Sequence, residues 1–414
     1  MTSAALISLG AFPTGAPYRI DQVTAAPQAM ALLFIAEGLL AGAMSWAAAT
    51  ARSRLWHLLA AILLVLVALF FTLASWGNSD TTKLSHFLPQ RPVPIPLEPL
   101  WTGIAPLVVA LPYRMSMVHG LVAAGYAAAP MLLARAWGAA SWGGWWALLI
   151  TCSPMLRGFL QNAHTRQALA VLLLLPVLLG SARLVSIPGR WQGIGVLVSA
   201  LSHNTFVFSL TTSLLPWFLR LPALLRSLLA GRVGLGPRKL RHHWPWLLAG
   251  AGVLVLMVAL APTLLERLRN YALDPYFNQY PLRPVVGRLQ RALALSLVLA
   301  CLQRRLTPLR LLRCPLTLLL LGFGLLYIGI QQSIVALWLP AVTSRLADGI
   351  GFFLLILYLA WLDRYRAHWC VLPVLYVTFQ YWLEGRLLSA RELPCGLNDD
   401  FLCIPDRWPW QVRY

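Results

Sequence analysis

The sequence predicts an all-α, polytopic integral membrane protein of roughly 10–12 transmembrane helices, about twenty apolar residues being enough to cross a bilayer. Three observations predict it. Of 414 residues, 59% are hydrophobic and only 11% charged, more apolar surface than a soluble core can enclose. The apolar residues fall in runs of spanning length, and arginine clusters lie between those runs, as cytoplasmic loops require. The net charge of +20 is explained by those clusters, so nucleic acid is not expected as a partner.

Taken in order, spans are expected near 29–50, 55–76, 101–134 (broken), 141–160, 167–184, 244–264, 289–303, 314–339, 346–362 and 367–383. No basic segment, apolar stretch and small-residue cleavage site open the chain, so the first span is expected to target it. Arg52/Arg54, Arg135, Arg183/Arg190, Arg220–Arg241, Arg304–Arg313 and Arg364/Arg366 sort to the cytoplasmic side. The segments 77–99, 157–166, 265–288, 340–345 and the tail from Glu384 sort to the other. The alternation would fail if 191–218 crossed once, because the basic block after it would then lie outside. It holds if that stretch turns back at SALSHNTF (199–206), whose Ser, His, Asn and Thr side chains satisfy loosened backbone groups. A helical hairpin with His203 near its apex is therefore expected. The chain divides into an extracytoplasmic segment (1–28), a transmembrane domain (29–383) and an extracytoplasmic tail (384–414). In that tail Cys395 and Cys403 bracket a polar loop where a disulfide would persist.

Polar residues on the outer side are the candidates for chemistry. Arg166 and Gln167 open the 167–184 span, where a guanidinium presents a rigid fork of donors to a carboxylate or phosphate; Arg157 and His164 extend this into a basic rim. A snorkelling anchor is the alternative for Arg166. His203 is of the type that takes a proton from a hydroxyl, with Asn204 and Thr205 placed to orient it or a substrate; packing across the bundle is its alternative. Asp80 and Glu98 are scarce outer carboxylates among only 13 acidic residues, candidates for a base or for an arginine partner. Arg345 opens the span at 346, with Asp348 three residues on. Segment 265–288 interleaves Arg267, Arg269, Arg283 and Arg288 with Tyr271, Tyr276, Phe277 and Tyr280, an excess of outer arginine that points to a ligand. No nucleotide-binding, zinc or serine-hydrolase motif is present, nor an early outer DxD pair, so no metal and no cofactor are expected.

Five short stretches in order, WGNSDT (76–81), TRQALA (165–170), ALSHNTF (200–206), YALDPY (271–276) and SRLADGIGFF (344–353), resemble the EpsG family of exopolysaccharide polymerases, relatives of the Wzy-type polymerases. The most specific piece is RQxxA followed about 35 residues later by a mid-membrane histidine. The family carries a tyrosine four residues after the first-loop aspartate, where this chain has Leu84, and its late aromatic is displaced to Phe352 and Phe353. The tail after 384 lies outside the resemblance.

The resemblance implies glycosyl transfer at the outer face of the bacterial inner membrane, in an arrangement compatible with a GT-C-like bundle. An oligosaccharide on undecaprenyl diphosphate is joined to the next lipid-linked repeat unit and undecaprenyl diphosphate is released, with flippase and chain-length regulator proteins as further partners. Arg166, with Arg345, Arg267 or Arg269, would neutralise the diphosphate. His203, with Asp80 in the first loop, would serve as base or acceptor-positioning group, and Tyr271, Tyr276 and Tyr280 would stack on sugars. Two rivals remain: a GT-C-type transferase adding one sugar from a polyprenyl phosphate donor, and a non-enzymatic flippase for lipid-linked oligosaccharide.

Overall fold

The computed structural model describes residues 27–75, 81, 84–85, 88–89, 98–161, 164–219, 285–332 and 340–389. All regular structure among them is helical, and five helices, or six counting one sharply bent pair, are long and apolar enough to cross a membrane. In chain order the helices are α1 (Pro27–Ala49), α2 (Ser53–Ala74), α3 (Pro99–Ala110), α4 (Met115–Ala136), α5 (Gly143–Thr151), α6 (Thr165–Leu173) and α7 (Leu175–Ser181). They continue as α8 (Gly189–Ser202), α9 (Phe206–Phe218), α10 (Val285–Gln303), α11 (Pro308–Leu312), α12 (Pro315–Gln332), α13 (Pro340–Arg364) and α14 (Leu372–Ser389). The expected span at 244–264 lies outside the described residues.

The helix ends sort into two faces, and hydrogen bonds tie each face together. On one, Arg135 meets His57, Trp137 Nε1 donates to Leu184 O (3.3 Å), the Trp142 ring stacks on His368 (centroids 5.7 Å apart), and Arg304 donates to Arg366 O. Arg52, Arg54, Arg183, Arg190, Arg305, Arg310, Arg313 and Arg364 adjoin the same helix ends. On the opposite face Arg114 donates to Ser85 O (3.1 Å), Arg166 pairs with Glu98, and Gln290 donates to Gln331 (3.4 Å). This is the sorting that alternate crossing of the chain requires.

α13 is the central helix. In its spanning window 89% of residues are buried, against 28% for α2 and 33% for α12, whose outer sides carry leucines turned to the surface. Small residues let neighbours approach closely, as membrane bundles favour. A β-carbon on Gly120 of α4 would fall 2.2 Å from Ala68 O of α2, and one on Gly144 of α5 would fall 2.5 Å from Ala41 Cα of α1.

The break expected within 101–134 is present, and other expected spans take a different form. The broken span at 101–134 divides at Leu111–Arg114, because Pro112 holds Leu111 extended (ψ 142°) and Tyr113 and Arg114 then adopt φ of 58° and 46°. The span expected at 141–160 is not one helix. α5 stops at Thr151, halfway through a bilayer at about 1.5 Å per residue, since Pro154 pushes Ser153 out of the helical region (ψ 126°). The exposed backbone there is satisfied by side chains: Trp382 Nε1 donates to Cys152 O (2.9 Å), and Ser153 Oγ accepts from Met155 N (3.2 Å). α13 begins at Pro340, so Arg345 lies inside a helix and does not open it, and α14 runs to Ser389, beyond the boundary expected at 383.

The hairpin expected at 191–218 is present. α8 runs back along α7 and α6, with Gly195 against Leu173 O and Ser199 Oγ donating to Ala170 O (2.8 Å). After the turn at His203–Thr205, α9 returns until Ser213 O accepts from Ser181 Oγ (2.6 Å), level with the Gln192–Gly180 contact where α8 began. Both ends therefore lie at the arginine-lined face.

Helices descending to that face share one termination. After α7, α10 and α13, Arg183 (φ 57°), Arg305 (φ 49°) and Arg366 (φ 50°) occupy the left-handed position, with the paired backbone bonds of a Schellman motif. Glycine is the usual residue there; arginine accepts backbone strain while placing a cation beside unpaired helix carbonyls. Arg183→Gly is expected to raise stability in detergent by about 0.5–1 kcal/mol and Arg183→Val to lower it by about 1–2 kcal/mol, read from thermal unfolding.

Candidate functional site

The site grows from the corner between α5 and α6. Past Ser153 the chain makes a 3₁₀ turn (Pro154–Leu156) and a π-helix (Arg157–Gln161), then bends by 118° into α6. A π-helix is rare and recurs at functional positions. It is wedged against α2, α6 and α13.

Two contacts hold it. The Asp348 carboxylate of α13 lies directly on Gly158: a β-carbon there would sit 1.7 Å from Oδ2 and 2.9 Å from Cγ. His119 of α4, wholly buried, clamps both arms of the corner. Its Nε2 donates to Leu160 O (2.8 Å) before the bend and its Nδ1 accepts from Thr165 Oγ1 (3.0 Å) after it. A carbonyl only accepts, so these partners select the Nε2–H tautomer.

The clamp fixes Arg166, the residue after Thr165. Its Nη1 lies 2.9 Å from Glu98 Oε2, with the Glu98 side chain 4% exposed and the Arg166 side chain 21% exposed. Glu98 is thus the enclosed anchor, and Arg166 retains an outward side. Gln167 Nε2 donates to Arg345 O (3.3 Å), tying α6 to α13. The hairpin apex joins the same corner through α3, where Trp101 Nε1 donates to Ser202 O (2.8 Å) one turn beyond Glu98. Arg166, Gln167, Arg345 and the His203 turn are therefore brought together.

His203, expected as a base or an acceptor-positioning group, is held at the turn by Thr205. Its Nδ1 accepts from the backbone N–H of Thr205 (3.1 Å) and lies 2.7 Å from Thr205 Oγ1. An Nδ1 that accepts a backbone N–H places the proton of the neutral ring on Nε2, so the ring is oriented as a donor and suits substrate positioning. Asn204 sits half-buried beside it. Arg157 departs from the expected rim: it is only 5% exposed, because the π-helix carrying it is enclosed between α6 and α13. His164 remains half-buried at the bend. Asp80, Arg267, Arg269, Tyr271, Tyr276 and Tyr280, and the cysteine pair Cys395/Cys403, lie outside the described residues.

Sequence reading passed over His119, Gln161 and Glu37. A histidine or carboxylate inside a span was the available signal. Glu37 in α1 is wholly buried and hydrogen-bonds Thr151 Oγ1 (2.7 Å) at the end of α5, beside the mid-membrane break. Among the described residues no three His, Cys, Asp or Glu side chains are grouped to hold a metal ion.

Fold and site together define an all-α, multi-pass membrane protein with a polar corner between broken helices, opposite its arginine-lined face. Comparison with protein families, with curated proteins and with solved structures finds no match to this chain.

Proposed function

We propose that this protein is a polysaccharide polymerase of the bacterial inner membrane, joining oligosaccharide repeat units carried on undecaprenyl diphosphate. The positive-inside rule makes the arginine-lined face cytoplasmic and sets the corner in the outer half of the bilayer. The observation that carries the reading is Arg166: a guanidinium anchored from behind by a buried carboxylate, at a backbone break inside a membrane bundle, is a preorganised donor for an anionic group. The stretches at 165–170, 200–206 and 344–353, which resemble those of EpsG-type polymerases, lie at this corner and give further support.

In the proposed reaction the bond between the donor's anomeric carbon and the diphosphate oxygen breaks, and an acceptor hydroxyl forms the new glycosidic bond. The hydroxyl proton passes to a carboxylate, a role assigned to Asp80. Arg166, supported by the neighbouring Arg345, stabilises the negative charge growing on the diphosphate. His203 donates from Nε2 to hold the acceptor sugar.

The polyprenyl-linked intermediates of a strain lacking this protein test the assignment by mass spectrometry. Complete repeat units, unpolymerised and exposed on the outer leaflet, are expected. Units short of one sugar would identify a single-sugar transferase, and complete units trapped inside would identify a flippase.

A further inference from the structure

Gln161 carries an observation that no role assigned above uses. It ends the π-helix and is 3% exposed, and among the described residues neither its amide oxygen nor its amide nitrogen has a hydrogen-bond partner. Leaving a buried amide unpaired costs about 1–3 kcal/mol, so such groups are rare where nothing requires them. The neighbouring polar groups are engaged: the Leu160 carbonyl and Thr165 hydroxyl by His119, Arg166 by Glu98, and the Asp348 carboxylate is seated on Gly158. Glu98 Oε1 at the same corner is also enclosed and, among the described residues, without a hydrogen-bond partner. An amide offers a donor and an acceptor without charge, the pairing that suits a hydroxyl of a neutral sugar and is wasted on a phosphate.

We propose that Gln161 is a specificity-determining residue that binds a hydroxyl of the repeat-unit sugar, from the arm of the corner before the bend, while Arg166 after the bend holds the diphosphate. This inference rests on the polymerase reading and adds the sugar-facing half of its site. A residue kept for a ligand at the expense of the empty protein has a distinctive signature: its apolar replacement stabilises the empty protein and weakens the ligand.

The test uses purified full-length protein in detergent, with Gln161→Leu beside the wild type. The probe is the complete undecaprenyl-diphosphate-linked repeat unit isolated from the deletion strain, and the readout is the thermal midpoint with and without it. The empty variant is expected to melt about 1–3 °C above the wild type. Its apparent affinity for the probe is expected to fall about tenfold, the scale of one lost hydrogen bond with its partner left buried. An empty variant that melts below the wild type would make Gln161 a structural residue and overturn the proposal. A stabilised variant that binds the probe as tightly as the wild type would overturn it too. If the wild type itself ignores the probe, the polymerase reading falls and takes the assigned ligand with it, whereas the two preceding outcomes remove Gln161 alone.

Discussion

Arg166→Ala is expected to lower polymer synthesis by about 10²–10³-fold, the scale seen when a single preorganised donor to a charge-developing transition state is lost. The same substitution leaves Glu98 enclosed without its cation, which costs about 3 kcal/mol, the lower end for enclosed pairs because the Arg166 side chain is partly open. Lost activity alone would therefore not separate a folding defect from a catalytic one. The double variant Arg166→Gln/Glu98→Gln separates them, because it removes both charges and keeps two groups able to hydrogen-bond. It is expected to recover most of the stability lost in Arg166→Ala and none of the activity. Arg166→Lys keeps the charge and loses the planar fork, and is expected to retain no more than about a tenth of wild-type synthesis. Recovery of polymer in the double variant would reduce Arg166 to a structural anchor.

The second large effect belongs to Gly158. A β-carbon at 158 would overlap the Asp348 carboxylate, so Gly158→Ala must turn that side chain out of its enclosed place or displace α13, the most enclosed helix of the bundle, or the π-helix. Overpacking of this kind costs about 1–3 kcal/mol or more. A loss of at least that size in thermal or denaturant stability is expected, together with loss of activity, since the π-helix leads into Arg166. Asp348→Ala in the same chain removes the obstructing carboxylate and is expected to restore stability, so the two substitutions should be strongly non-additive. Additive losses would mean that the contact does not govern how α13 seats on the corner.

Much of this was legible in the sequence for identifiable reasons. Apolar run length and arginine placement carry the fold, and the polar SALSHNTF interruption carries the hairpin, because backbone at membrane depth needs nearby side chains to satisfy it. The polar residues from Arg157 to His164 marked an outer segment, but the start of the break was obscured because Met155, Leu156, Phe159 and Leu160 keep the stretch apolar, leaving only Ser153–Pro154 to show that the helix ends at Thr151. Glu98 was one of several carboxylates able to meet an arginine, and its pairing with Arg166, 68 residues away, depends on how α3 packs on α6 and α8. Arg157 was misplaced because an arginine near a helix end is usually at the surface, whereas here a π-helix turns it inward. The requirement for glycine at 158 comes wholly from α13, and no local pattern announces it.

The most direct measurement is polymerisation by the purified protein reconstituted in liposomes, supplied only with the isolated undecaprenyl-diphosphate-linked repeat unit. A ladder of lengthened glycans with release of undecaprenyl diphosphate, absent with Arg166→Ala, is the predicted result. Repeat units that stay single with the wild-type protein, or that merely change leaflet, would contradict it.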